Sequence, residues 1–127
     1  MRHCMRLLPL LLFVAFATGT LTAAESKAVQ TMAGILVKLN HFPSDTEKQT
    51  LKQIAEAKDT TAHERAVAQA MINLQHKVSA DDKPKLDAVL KAKDAPESVK
   101  TLATIIINLN HMPTDADKEK LKKLATP

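Results

Sequence analysis

Cysteine, glycine and aromatic residues are nearly missing from this chain. Of its 127 residues one is cysteine, two are glycine, three are phenylalanine, and none is tryptophan or tyrosine. Beyond position 24 the sequence keeps only Gly34 and Phe42 of these. Without thiols there, that part forms no disulfide, iron–sulfur cluster, thiolate zinc site or haem attached through Cys-x-x-Cys-His. With Phe42 alone it has almost no platform on which bases stack. There is no phosphate-cradling glycine loop, no Gly-x-Ser-x-Gly elbow and no His-Glu-x-x-His helix. His63-Glu64 begins the last of these, but Val67 stands where its second histidine is needed. The expectation is a protein that is not an enzyme.

Long apolar runs are also scarce, and the one present lies at the start. Arg2 and Arg6 precede an apolar stretch over residues 7–16, broken by Pro9, and small residues follow at Thr22-Ala23-Ala24. That order predicts a secretory signal peptide over residues 1–24, cleaved near Ala24. The apolar stretch is about half the roughly 20 residues that cross a bilayer. The expected mature chain, 25–127, therefore has no membrane span and resides in the periplasm or is secreted. Cys4 precedes the apolar run and belongs to the discarded peptide. The formal net charge of +4 falls towards neutrality once Arg2 and Arg6 are removed. Fifteen lysines remain with one arginine, Arg65, and acids are interspersed among them. The lysines clustered at 118–123 read as a solvated helix face, and no nucleic-acid partner is expected.

What is present is a repeat. Leu39-Asn40-His41-Phe42-Pro43-Ser44 returns as Leu74-Gln75-His76-Lys77-Val78-Ser79 and as Leu109-Asn110-His111-Met112-Pro113-Thr114, each 35 positions later. The register extends through Lys48, Lys83 and Lys118, through Leu51, Leu86 and Leu121, and upstream through Leu36, Met71 and Ile106. A period of this length marks stacked supersecondary units. Each copy has a leading segment with apolar residues at helical spacing and a trailing segment with a narrower apolar stripe. The predicted fold is all-α: six helices as three tandem hairpins, forming one domain, either a compact bundle or a short solenoid. Predicted spans are 27–40, 45–57, 62–76, 80–92, 96–110 and 115–125. Ser44 with Glu47 and Thr61 with Glu64 form capping boxes, and Ser79 with Asp82 and Thr114 with Asp117 are shorter versions. Asp94 and Glu97, with Pro96 just inside the start, are expected to open the fifth helix. Pro43 and Pro113 stop the helices before them.

His41, His76 and His111 hold one repeat position and are the candidate functional row. As C-terminal caps they would donate to the last carbonyls of the leading helices. As metal ligands, three neutral imidazoles suit zinc, copper or nickel. As titrating groups they would charge together in acid. Geometry separates these readings: in an open solenoid equivalent residues stand about 10 Å apart, the helix-packing distance, whereas closure about an axis makes them converge. Asn40, Gln75 and Asn110 are expected to hydrogen-bond the turns. Asn73 and Asn108 suggest a buried polar contact between repeats, or a small wet patch. His63 is read as solvated, and Met32, Met71 and Met112 as core filling. Asp115–Glu119 lacks the glycine and distal glutamate of a calcium loop, so capping accounts for its acids.

Repeated hairpins present a periodic face. The first functional reading is therefore an exported binding or adaptor protein. It would contact a protein partner through Asn40, His41, Phe42, Gln75, His76, Lys77, Asn110, His111 and Met112. The alternatives are a metal-binding carrier or sensor using His41, His76 and His111, and an acid-stress or chaperone-like protein.

Overall fold

A computed structural model describes residues 25–127; the predicted signal peptide lies outside the described residues. These form six helices and no strand: α1 Lys27–Val37, α2 Asp45–Glu56, α3 Ala62–Ile72, α4 Lys83–Lys91, α5 Glu97–Ile107 and α6 Asp115–Ala125. The fold class is all-α, as the periodicity predicts.

Capping chemistry fixes most starts. Ser44 and Thr61 each accept the backbone N–H three residues on, while Glu47 and Glu64 reach back to the cap N–H. Thr114 accepts from the Asp117 N–H, but no reciprocal bond returns, because aspartate is one methylene too short. The leading helices stop at Val37, Ile72 and Ile107, earlier than the pattern predicts, because the chain leaves the helix before each histidine. Helix α4 starts at Lys83, after a turn tied by the Ser79 hydroxyl to Asp82. The fifth helix departs from expectation. Pro96 occupies its N-cap with no side-chain cap bond. Asp94 instead faces His63 at 3.1 Å, so His63 is paired rather than simply solvated.

The tightest helix pairs are α2 with α3, α4 with α5, and α6 with α1. Each trailing helix thus packs chiefly on the leading helix of the next copy, and the last returns to the first. That return closes the bundle; an open solenoid would leave α1 and α6 apart. The leading helices α1, α3 and α5 meet one another inside the ring. At matching registers Ala33, Ala68 and Ala103 are fully buried, and the small side chain lets three backbones approach. Around them Leu36, Met71 and Ile106 are fully buried, as are Leu51, Leu86 and Leu121 from the outer helices. At roughly 1.5–3 kcal/mol for each fully buried large side chain, this single cluster outweighs any surface contact.

One core register is broken. Val29 and Val99 are buried at equivalent positions, and between them stands Glu64, only 5% exposed. Its carboxylate is fully engaged: Oε1 accepts from the Ser26 hydroxyl at 2.8 Å and Oε2 from the Thr61 N–H at 3.2 Å. This ties the start of α1 to the start of α3. Asp82, 1% exposed, is the second buried acid. It accepts from Ser79 at 2.6 Å and Asn73 at 2.9 Å, with the Lys85 ammonium at 3.6 Å. Asn73 is exposed and bonds Asp82 across a turn of its own copy, and Asn108 is exposed as well, so neither makes the expected buried contact between repeats.

A candidate metal centre on the threefold axis

At the end of the bundle where α1, α3 and α5 finish, the chain makes the same tight turn three times. The N–H of Phe42 donates to the carbonyl of Asn40 at 2.9 Å, that of Lys77 to Gln75 at 2.6 Å, and that of Met112 to Asn110 at 2.9 Å. A hydrogen bond spanning one residue defines a γ-turn, and its central residue here is a histidine with φ of 71°, 64° or 69°. That is the rare, strained form of the turn. These histidines are the only non-glycine residues with positive φ among those described.

The turns are locked to one another. The N–H of His41 donates to the carbonyl of His111, His76 to His41, and His111 to His76, at 2.8–2.9 Å. This cycle of three backbone bonds encircles the axis and uses both main-chain groups of every histidine. It also fixes where the side chains project.

The imidazoles converge. Their Nδ1 atoms lie 3.0, 3.2 and 2.9 Å apart. The ring centroids are farther apart, 4.9–5.1 Å, and the planes meet at 68–84° like propeller blades. Centroids wide and nitrogens close means that each ring aims Nδ1 at the axis and leaves Nε2 outward. The row does not cap helices: each Nδ1 faces another imidazole, and no imidazole bonds a helix carbonyl among the described residues.

Three nitrogens at mutual hydrogen-bond distance cannot satisfy one another. Each contact needs one N–H and one lone pair, and a neutral imidazole nitrogen is one or the other. In a triangle, two of three corners always share a role, so at least one contact sets lone pair against lone pair or hydrogen against hydrogen. A cation on the axis removes the conflict, since all three lone pairs then point at it. The donor set suits a borderline transition ion such as zinc, copper or nickel. With metal–nitrogen bonds of about 2.0–2.1 Å, one such ion would be within reach of all three nitrogens at once. Three protein ligands would leave at least one coordination position for another donor.

Helix ends of both signs surround the cluster: α1, α3 and α5 finish at this end of the bundle, and α2, α4 and α6 begin there. The cluster is open to solvent: His41 is half-buried, and His76 and His111 are exposed.

Of the predicted row, the structure gathers His41, His76 and His111 at one point and spreads the others around them. Asn40, Gln75 and Asn110 contribute the γ-turn carbonyls, while their exposed amide heads find no protein partner among the described residues. Phe42 and Met112, 54% and 46% exposed, are the exposed large apolar side chains among those described. Met32 and Met71 fill the core as expected, but Met112 does not: the γ-turn points the residue after each histidine outward. Lys77 takes the third rim position and is exposed. Two residues escaped sequence reasoning. The local pattern presents Glu64 as a capping residue, although the 35-residue register sets it between Val29 and Val99. Lys48 was noted only as part of the repeat. Its ammonium lies over the Phe42 ring, 5.8 Å from the centroid.

No family model, no curated protein and no solved structure matches the chain, so its function is argued from its own geometry.

Proposed function

We propose that this is an exported, non-enzymatic metal-binding protein that holds one divalent transition ion on the axis of its helical ring, through Nδ1 of His41, His76 and His111. The observation that carries the reading is the triangle of three Nδ1 atoms within 3.2 Å, an arrangement that protons alone leave unsatisfied. The left-handed turns add support, because strained backbone at a side-chain cluster is characteristic of ligand clamps. Carriage or sensing of the ion fits a small domain with no catalytic set around the site.

Titration calorimetry with zinc, nickel and copper at neutral pH tests this. The expected result is saturable binding of one ion per chain, abolished in His76→Ala and reduced to background by EDTA. Absence of heat with all three metals, or unchanged binding in His76→Ala, refutes it.

Contact with a protein partner through the turn row takes second place. It is favoured by the exposure of Phe42 and Met112 beside the histidines. A partner captured only by the metal-loaded protein would join the two readings.

A further inference from the structure

Three nitrogens leave the proposed ion with an open position, and the molecule offers something beside it. A cavity of about 330 Å³ at the far end of the bundle is lined by Glu25, Glu64 and Glu97, with the bonds of Glu64 already made. At the histidine end lies another, of about 320 Å³, lined by Phe42, Lys48, Gln75 and His76. Its size is at the small end of ligand pockets. One wall is a proposed metal ligand, one an exposed aromatic ring, one an amide and one an ammonium.

Lys48 is the informative member. Lys85, Lys100, Lys118 and Lys122 each face a carboxylate three residues away. In Lys118, the repeat equivalent of Lys48, that partner is Asp115. Lys48 has Asp45 at the same spacing, yet no ion pair forms. Its side chain instead turns over Phe42 and into the cavity shared with His76. An unpaired ammonium, an apolar ring and one of the three clustered histidines line one small cavity, a lining that suits a ligand with a negative, oxygen-bearing head and a compact apolar body.

We infer that the metal-loaded site takes a small monocarboxylate as co-ligand. One carboxylate oxygen takes the open coordination position, the Lys48 ammonium neutralises the other, and the organic body rests on Phe42. Hard oxygen donors commonly fill positions that imidazoles leave open on such ions. The charge-assisted contact to lysine adds to the metal–oxygen bond. Gln75 supplies a further polar group at the cavity wall. This inference rests on the proposed metal site and adds the class of molecule the site accepts.

Cobalt(II) serves as the probe, because its visible absorption reports both its own binding and any change in its ligands. The protein is first loaded with one equivalent of cobalt and then titrated with benzoate, with benzyl alcohol as the neutral counterpart. The expected result is a saturable change in the cobalt spectrum with benzoate and none with benzyl alcohol. Lys48→Met should bind cobalt as the wild type does but bind benzoate about three- to fivefold more weakly, the range for one partly exposed ionic contact. A cobalt spectrum indifferent to benzoate, or equal benzoate affinity in Lys48→Met, overturns the co-ligand while leaving the metal site standing. Failure of cobalt itself to bind overturns both.

Discussion

Replacing the three histidines by glycine should make the metal-free protein more stable than replacing them by alanine. Both sets of variants remove the imidazoles, their crowding and the metal site, so they differ only in the backbone. Each turn holds φ between 64° and 71° at its centre. A residue with a Cβ carries a penalty of about 1–2 kcal/mol in this region. Glycine carries none, but it has more freedom to lose on folding, which returns about 0.5–1 kcal/mol. The net advantage of glycine is therefore about 0.5–1 kcal/mol per turn, and about 2 kcal/mol for the three together. The sites are joined by the backbone cycle, so some departure from additivity is expected. For a domain of this size about 2 kcal/mol raises the melting midpoint by roughly 10 °C.

The assay is urea denaturation in the presence of EDTA, comparing each His→Gly with its His→Ala partner and then the triple variants. Unchanged slopes would show that stability, rather than compactness of the unfolded chain, has shifted. If the alanine proteins equal or exceed the glycine proteins, the turns store no strain. The argument that a ligand clamp was built there at a cost in stability then fails.

Acidification from pH 7 to pH 5 should release the bound ion, since protons compete for the imidazole nitrogens; retention of zinc through dialysis at pH 5 would contradict nitrogen ligation. Burial opposes the charge on Asp82, but hydrogen bonds from Ser79 and Asn73 and the Lys85 ammonium outweigh it and hold its pKa below the usual carboxylate range. A carboxyl depressed in the folded state adds stability above its unfolded pKa of about 3.9, and that stability disappears as pH falls through the folded value. Asp82→Ala should thus cost about 1–3 kcal/mol at pH 7, with the gap from wild type narrowing near pH 2; a gap constant with pH would mean that packing, not charge, is lost. Glu64→Ala should cost a similar amount by freeing Ser26 and opening a cavity. Glu64→Val restores the apolar residue found at Val29 and Val99 and should be the more stable of the two by urea denaturation.

The fold was legible because helix formation and packing are written locally. Apolar spacing at Leu36, Met71 and Ile106 and the boxes at Ser44 and Thr61 state where helices run and which faces are buried. Closure was not legible. It depends on α6 finding α1, a contact between the two ends of the helical region that no local pattern encodes. The site followed from the repeat only in part. The 35-residue register names His41, His76 and His111 as equivalents, and equivalence is compatible with both 10 Å rows and 3 Å clusters. What converts one into the other is the backbone cycle among the histidines, made by main-chain atoms that every residue possesses. The exposure of Met112 was hidden for the same reason, since a γ-turn inverts the direction a continuing helix would have given it. Glu64 was hidden differently: its capping role is complete in sequence terms, and nothing local says that a cap also occupies a core position.

The placement of asparagine bears on whether the histidines serve the turn or the turn serves them. After glycine, asparagine is the residue that most readily enters the left-handed region, because its short amide can bond locally. The chain has asparagine next door, at Asn40 and Asn110, but outside that conformation. A turn selected for its own stability would place asparagine or glycine at 41 and 111, where φ is positive. Here histidine holds all three left-handed positions, against backbone preference. Its nitrogens then meet in a triangle that no choice of tautomers satisfies. Elsewhere the local rules largely agree: four of the six helices have an engaged N-cap side chain, and among the described residues no buried side-chain polar atom lacks a partner. Local conflict confined to one point of an otherwise consistent chain is the signature of a functional site. Of the groups that could resolve this conflict, a cation on the axis answers the strain and the lone pairs together.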